Sequence, residues 1–223
     1  MLNPHELPYA ITPAQRPWDV RLARRIVAPL MNTWVRPNYL TTLRLGVGLG
    51  AAAAFTLGTY GWSNVAALLL VLSNFLDHTD GELARISGKS SRIGHLYDLA
   101  SDAVVTILLF VAMGIGIDAA PGTPLGGTGV LLGAIAGSSV ALIFFLRMRI
   151  EELLGKSATQ QASFAGFETE DVLYLMPLAT LCNGVLPVLL TAAVCAPLFA
   201  VWVAIEYRRL VHRDRRSDTG VAG

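Results

Sequence analysis

Four aspartates interrupt one of the most apolar parts of this 223-residue chain. They are Asp77, Asp80, Asp98 and Asp102. A charged side chain at membrane depth costs roughly 2.5–3.5 kcal/mol on insertion scales. Four carboxylates in such a setting therefore need compensating positive charge and a functional reason to be there.

The composition of the chain indicates that this setting is a membrane. Hydrophobic residues make up 53% of the chain and charged residues 15%, whereas about a quarter of the residues in a soluble domain are charged. The net charge is +1, and no basic run with interleaved aromatics supports nucleic acid as a partner. The sequence predicts an integral membrane protein, with membrane lipids around it.

The spacing of the aspartates indicates that two helices meet at one polar site. Asp77 and Asp80 are three residues apart, and Asp98 and Asp102 are four apart, so each pair shares one helix face. A short turn near residues 88–91 would let the four carboxylates meet. An all-oxygen cluster suits Mg²⁺ or Mn²⁺ better than zinc. We therefore predict a divalent metal site at these aspartates.

Small residues and an arginine extend the aspartates into a longer pattern. It reads Asp77-x2-Asp80-Gly81-x2-Ala84-Arg85-x8-Gly94-x3-Asp98-x3-Asp102. At every fixed position and every gap it is similar to the motif of the CDP-alcohol phosphatidyltransferase family. The resemblance covers residues 77–102 and implies an integral membrane enzyme of phospholipid synthesis, commonly a homodimer.

The resemblance also implies a role for each motif residue. Asp77, Asp80 and Asp98 correspond to metal ligands, and Asp102 corresponds to the general base, which also lies close to the metals. Two divalent ions on shared carboxylates would neutralise the phosphates of the donor and align the attack. The other positions would bind the donor, by leaving room for its nucleotide or by contacting phosphate. They are Gly81, Ala84, Arg85 and Gly94.

Further candidates lie outside the fixed positions. Residues 37–44 resemble the Pro-Asn-x-x-Thr-x-x-Arg stretch of these enzymes, which implies that Asn38 and Thr41 lie near the donor nucleotide. Arg44 is expected to pair with a carboxylate or a phosphate, because an unpaired charge in the membrane is costly. Basic residues at the helix ends either anchor helices at the interface or bind a phosphate of acceptor or donor; the candidates are Lys89, Arg92 and Arg147. The variable motif positions His78, Glu82 and His95 are interpreted as lining a polar helix face, and the alternative is that they tune the acceptor pocket.

Residues 16–36 are predicted to form an amphipathic helix in the membrane interface. Apolar side chains recur there at every fourth position: Trp18, Leu22, Ile26, Leu30 and Trp34. The arginines fall elsewhere on the helical wheel, and Pro29 would bend or interrupt the helix. The alternative is a soluble helix that packs against its own protein.

The sequence as a whole predicts an all-α, polytopic membrane protein with six transmembrane helices after this interfacial helix, since about 20 apolar residues cross the hydrocarbon core. The predicted spans are residues 39–60, 62–86, 91–117, 128–146, 169–182 and 186–207, and the fourth helix can continue to residue 154. The chain then divides into an N-terminal lead-in with the interfacial helix, a transmembrane catalytic domain and a polar cytoplasmic tail. These are residues 1–36, 37–212 and 213–223.

The basic residues predict the orientation. Every Lys and Arg except Arg44 falls in residues 16–36, 85–92, 147–156 or 208–216, and the opposite loops hold none. By the positive-inside rule, both termini and the aspartate motif face the cytoplasm. The expected location is a bacterial inner membrane.

The expected function is metal-dependent transfer of a substituted phosphate group from a CDP-linked donor to an alcohol acceptor, with release of CMP. CDP-diacylglycerol with a small soluble acceptor is the first choice of substrates. A small CDP-alcohol with a lipid acceptor is the alternative. A membrane transporter or a divalent-ion-binding module is the alternative from another class, although such proteins more often show internal repeats or interrupted helices.

Overall fold

The computed structural model describes residues 18–31, 33–88, 91–120, 122, 125–154 and 173–220. Within these residues the fold is all-helical, as predicted, and contains no strand. The α-helices are α1 (Trp18–Val27), α2 (Pro37–Thr56), α3 (Tyr60–Ser87), α4 (Arg92–Ala119), α5 (Gly129–Leu154), α6 (Met176–Leu181) and α7 (Val185–Gly220).

Three helices contain segments long and apolar enough to cross a membrane. These segments are Ile93–Ala119 in α4, Gly129–Ile150 in α5 and Val185–His212 in α7. Helices α2 and α3 coincide with the first two predicted spans, but their polar residues, including Arg44 and the first two aspartates, make them less apolar. The structure thus supports three of the six predicted spans.

The predicted fifth span contains only short helical pieces in its described part, a 3-10 turn at residues 173–175 and helix α6. Helix α6 has six residues, which is about 9 Å of helix against about 30 Å of hydrocarbon. It ends in a tight turn in which Asn183 has φ 54° and the Gly184 N–H donates to the Ala179 carbonyl at 2.7 Å. Residues 155–172 lie outside the described residues, so the described part does not reach across a membrane.

The predicted interfacial helix is shorter than residues 16–36. Helix α1 ends at Val27, and a 3-10 turn (Ala28–Leu30) that contains Pro29 follows it. The proline therefore interrupts the helix as predicted, because its ring cannot continue the α-helical hydrogen bonding. Ala23 and Val27 are buried, while Ile26 is 50% exposed. Helix α1 packs against α3 through the side that carries Ala23 and Val27. The predicted apolar stripe, with Leu22 and Ile26, lies beside this contact and stays exposed.

Small residues let the central helices approach closely. Ala51 and Ala52 are buried in the main core with Phe55, so the alanine run of α2 serves packing. Between α4 and α5 a Cβ at Gly133 would lie 2.2 Å from the Phe110 carbonyl oxygen. Side chains larger than hydrogen are therefore excluded at this crossing, as in other small-residue helix interfaces.

Candidate active site

The two halves of the aspartate motif meet beside α2, because α3 and α4 both pack against that helix. Gly88 ends α3 in the left-handed region at φ 63°, a conformation that glycine adopts without strain. Ser91 caps α4, and its Oγ accepts a hydrogen bond from the Gly94 N–H at 3.0 Å. The described ends of the predicted turn, Gly88 and Ser91, thus end α3 and cap α4, and both helices pack against α2.

Three carboxylates form the centre of the site. One oxygen from each of Asp77, Asp98 and Asp102 lies within 4.8 Å of the other two. The side chains are 29%, 32% and 43% exposed, respectively, so a ligand can approach them. The prediction that α3 and α4 bring carboxylates together is confirmed for these three residues.

The buried Arg44 of α2 contacts all three carboxylates of this triad. Its Nη1 contacts carboxylate oxygens of Asp77 and Asp102, and its Nη2 donates to Asp98 Oδ1 at 2.9 Å. Arg44 is only 4% exposed. The expectation that Arg44 pairs with a carboxylate is confirmed, and this one guanidinium joins all three helices of the site.

Asp80 lies in a more enclosed position than the triad. It is 3% exposed, and its Oδ2 accepts a hydrogen bond from the Thr41 hydroxyl at 2.8 Å. The sequence predicted Thr41 to lie near the donor nucleotide and did not predict this contact. Asp80 is not one of the three residues whose oxygens meet within 4.8 Å.

The donor set fits hard divalent cations. All the candidate ligand atoms are carboxylate oxygens, which Mg²⁺ and Mn²⁺ prefer. Arg44 brings one positive charge to the carboxylates of Asp77, Asp80, Asp98 and Asp102. Since neighbouring like charges repel strongly in a site of low dielectric constant, divalent cations would balance the excess negative charge.

Two predicted donor-binding stretches lie side by side. A Cβ at Gly94 would come 2.9 Å from Asn38 Oδ1, so the start of α2 touches the start of α4. The Thr42 and Tyr97 hydroxyls make a further contact of 3.1 Å between the same helices. At Gly81 a Cβ would meet nothing within 4 Å, and Ala84 is partly exposed. Gly81 therefore leaves open space on the face of α3 that carries Asp77, whereas the space beside Gly94 is filled by the Asn38 side chain.

The basic candidates are placed differently from one another. Arg85 pairs with Glu82. The Arg147 guanidinium lies 5.7 Å and 5.6 Å from the ring centroids of Phe199 and Trp202, respectively, an arrangement typical of cation–π contacts. Lys89 and the side chain of Arg92 lie outside the described residues. Binding of a substrate phosphate by these residues stays a prediction.

One buried acidic residue was missed. Glu82 was interpreted as part of a polar face of α3, but it is 2% exposed and its side chain faces Arg24 of α1. Its spacing of three residues from Arg85 was the available signal, because such pairs are neighbours on a helix. Its contact with Arg24 of α1 had no local signal in the sequence.

Comparison with known proteins identifies a family for this arrangement. The family model for CDP-alcohol phosphatidyltransferase matches residues 34–206. Cholinephosphotransferase 1 of Danio rerio is 38% identical over 90 residues, which are 37% of this chain and 23% of that protein. The CDP-diacylglycerol--glycerol-3-phosphate 3-phosphatidyltransferase of Cereibacter sphaeroides is 37% identical over 83 residues, 36% of this chain and 38% of that protein.

An archaeal protein is also similar. The archaetidylinositol phosphate synthase of Pyrococcus horikoshii is 33% identical over 101 residues, 44% of this chain and 52% of that protein. The chain therefore covers at most 52% of the length of these three curated relatives.

Proposed function

The chain belongs to the CDP-alcohol phosphatidyltransferase family, and we propose that it transfers a substituted phosphate group from a CDP-linked donor to an alcohol acceptor, with release of CMP. The observation that carries the proposal is the meeting of Asp77, Asp98 and Asp102 within 4.8 Å beside the open space at Gly81. A partly exposed carboxylate cluster next to open space suits a donor that carries a pyrophosphate.

The four aspartates would hold two divalent cations, Mg²⁺ or Mn²⁺. Bound cations of this kind neutralise a pyrophosphate and the charge that develops on the leaving phosphate. Asp77, Asp98 and Asp102 would serve as ligands from the exposed side of the site, and Asp80 from its enclosed side. The Thr41 hydroxyl would hold Asp80 in place, since it donates to one of its oxygens at 2.8 Å.

Asp102 would act as the general base. In the reaction, the acceptor hydroxyl oxygen forms a bond to the phosphorus that carries the lipid or alcohol group of the donor. The bond from that phosphorus to the oxygen of CMP breaks, and CMP leaves with this oxygen. The hydroxyl proton passes to the Asp102 carboxylate. With its side chain 43% exposed, Asp102 is the most accessible member of the triad, and Arg44 orients it.

The donor nucleotide would lie along the side of the site formed by the starts of α2 and α4 and by the end of α3. Gly81 and Ala84 would leave room for the nucleotide, Gly94 lets the Asn38 side chain approach the start of α4, and the polar side chains would orient the nucleotide. The proposed donor-binding residues are Asn38, Thr41, Gly81, Ala84, Arg85 and Gly94. Lys89, Arg92 and Arg147 are the candidates for binding a phosphate of the acceptor.

The proposed donor is CDP-diacylglycerol, with a small soluble alcohol as acceptor. The similarity to the Cereibacter sphaeroides enzyme, named for CDP-diacylglycerol and glycerol 3-phosphate, supports this choice. A small CDP-alcohol with a lipid acceptor is the second candidate, and the similarity to cholinephosphotransferase 1 favours it. Both choices use the same carboxylates and release CMP.

We also propose the membrane arrangement that the sequence predicts. Residues 37–212 would form the catalytic domain with six spans, and residues 1–36 would carry the interfacial helix. The aspartate site and both termini would face the cytoplasm of a bacterial inner membrane, where nucleotide-activated donors are made. A homodimer is the proposed assembly.

The test is CMP release by the purified protein with CDP-diacylglycerol and Mg²⁺. The acceptors to compare are glycerol 3-phosphate, inositol, inositol phosphate and serine, with a reaction lacking acceptor as the control. We expect CMP release to depend on one acceptor and to stop when EDTA removes the metal. If none of them supports release, soluble CDP-alcohols with diacylglycerol are tested next. Failure of both sets would contradict the proposed function.

A binding measurement separates this function from ion transport or ion storage. A ligand that binds the folded protein raises its melting temperature, so CMP or CDP-diacylglycerol should stabilise the protein only when Mg²⁺ or Mn²⁺ is present. Stabilisation by metal alone, with no response to the nucleotide, would favour an ion-binding or transport function.

A further inference from the structure

A buried carboxylate ties α1 to the helix that carries the first half of the motif. Glu82 is 2% exposed. Its Oε1 lies 3.7 Å from Arg24 Nη1 of α1, and its Oε2 contacts Arg85 Nη1 of α3. The carboxylate of Glu82 therefore links Arg24 of the proposed interfacial helix to Arg85 of the motif.

Packing alone does not account for a carboxylate at this position. The surrounding contact between α1 and α3 is apolar, with Ala23, Val27 and Leu83 at 0% exposure. Moving a carboxylate into such a place costs several kcal/mol, and a hydrophobic residue of similar volume often stabilises a protein equally well. The carboxylate is therefore better explained by the arginine side chains that it positions than by the stability that it adds.

The side chain that Glu82 positions is Arg85, the arginine of the motif. The Arg85 side chain is 59% exposed, and a guanidinium has five N–H donors, so donors remain for a ligand after one contacts Glu82. Arg85 follows Gly81 by four residues on α3, which places both on one helix face. That is the side on which a Cβ at Gly81 would meet open space.

We propose that Glu82 is a positioning residue that aims the Arg85 guanidinium at a phosphate of the CDP-linked donor, and that Arg24 anchors Glu82 from α1. The proposal rests on the proposed function. It makes α1 part of the donor site, because the position of this helix then helps to set the position of Arg85.

The test compares donor kinetics of Glu82→Gln, Arg85→Gln and the double variant. Glutamine keeps the size of Glu82 but loses the charge that orients Arg85. We expect the KM for the CDP-linked donor to rise about tenfold in Glu82→Gln, as for the loss of one charge-assisted contact, with a smaller change in kcat and an unchanged KM for the acceptor. Because Glu82 acts through Arg85, the double variant should have the donor KM of Arg85→Gln alone.

The chain offers a matched control in Glu152, which pairs with Arg149 at the same spacing on α5 but is 47% exposed. Glu152→Gln should leave both KM values unchanged. An unchanged donor KM in Glu82→Gln, or multiplied effects in the double variant, would overturn the inference while leaving the proposed function intact. Absence of CMP release by the wild type would instead count against the proposed function.

Arg24→Gln keeps the inference testable if Glu82→Gln does not fold, because Arg24 is half-exposed and its replacement leaves the core unchanged. We expect a threefold or larger rise in the donor KM, with the acceptor KM unchanged. A donor KM equal to that of the wild type would overturn the anchoring role of α1.

Discussion

Arg44 is the side chain on which the geometry of the site depends. It is 4% exposed and contacts three carboxylates from two other helices. Without it, Asp77, Asp98 and Asp102 would face one another with less positive charge to offset their repulsion. Breaking a buried charge network by removing one partner typically costs 3–5 kcal/mol, far more than breaking a pair on the surface.

We predict that Arg44→Gln lowers the stability of the metal-free protein by about 1–3 kcal/mol, between the values for exposed and buried pairs because the three carboxylates are partly exposed, and that Mg²⁺ restores more stability to this variant than to the wild type. Divalent cations would supply the positive charge that the variant lacks. Melting temperatures in detergent, with EDTA or with Mg²⁺, measure both effects. Glu152→Gln, which removes one partner of the exposed Arg149, is the control and should melt like the wild type. Equal melting temperatures of Arg44→Gln and the wild type in EDTA would contradict the prediction.

Thr41 permits a second test at single-residue resolution. Thr41→Val keeps the shape of the side chain but removes the hydroxyl that donates to the buried Asp80, whereas Thr41→Ser keeps the hydroxyl. Leaving a buried acceptor without its donor costs about 1–3 kcal/mol. We expect Thr41→Val to be less stable than Thr41→Ser by this amount in denaturant unfolding. Equal stability of the two variants would show that the 2.8 Å contact adds nothing.

At the residue scale the sequence predicted contacts that a helical repeat determines and missed those that depend on how helices pack. The spacing of Asp98 and Asp102 was sufficient to place both on one face of α4. The hydrogen bond from Thr41 to Asp80 joins residues 39 positions apart, and the contact of Glu82 with Arg24 depends on where α1 lies. No local pattern specifies either contact.

At the scale of helices, small residues set the distances between neighbours. Gly129, Gly133 and Gly137 repeat every fourth residue of α5, and a Cβ at each would come within 2.8 Å of an atom of α4. Helix α4 carries Asp98 and Asp102. Its close contact with α5 therefore fixes the position of the helix that bears two of the four aspartates.

We predict that Gly133→Ala destabilises the protein, because the added Cβ would lie 2.2 Å from the Phe110 carbonyl oxygen and backbone cannot move aside as a side chain can. Forced overpacking of this kind costs typically 1–3 kcal/mol or more. Gly46→Ala is the control, since a Cβ there meets nothing within 4 Å and alanine favours a helix by about 0.5–1 kcal/mol. Thermal unfolding of both variants gives the comparison. A Gly133→Ala variant as stable as Gly46→Ala would contradict the close contact.

The sequence predicted which helices exist better than where they end. Helix α2 stops at Thr56 rather than at residue 60, because the chain turns at Gly58, which has φ 62° and lies against the Gly116 backbone. An apolar run does not show where such a close approach forces a turn. The described part of the predicted fifth span forms a 3-10 turn at residues 173–175 and α6, and the turn at Asn183 follows directly after it.

At the scale of the whole molecule, the outer surface matches a lipid environment. Large apolar side chains remain exposed along the candidate spans, among them Leu131 at 61%, Val194 at 63% and Leu198 at 69%. A soluble monomer rarely exposes continuous apolar surface on this scale. The composition of the sequence already indicated this environment, but it could not show which helix faces would be left uncovered.

We predict that the aspartate site and the turn after α6 face opposite sides of the membrane, because the basic segments lie at one end of the helices. Cys182 is exposed in that turn and can be labelled in a Cys195→Ser background. Glu152→Cys, with both native cysteines replaced by serine, reports on the other end. An impermeant maleimide should label Cys182 only in right-side-out vesicles and the engineered cysteine only in inverted ones. Labelling of both from one side would contradict the proposed topology.

The central claim is that the aspartates of α3 and α4 form the catalytic site, and the most direct measurement is CMP release by their Asn variants. With CDP-diacylglycerol, Mg²⁺ and the responding acceptor, we predict that Asp77→Asn, Asp80→Asn, Asp98→Asn and Asp102→Asn each lose at least about a hundredfold in rate while remaining folded. Asp118→Asn is the control, because Asp118 accepts hydrogen bonds from the first residues of α5 outside the site, and it should retain activity. Activity close to that of the wild type in all four site variants would contradict the claim.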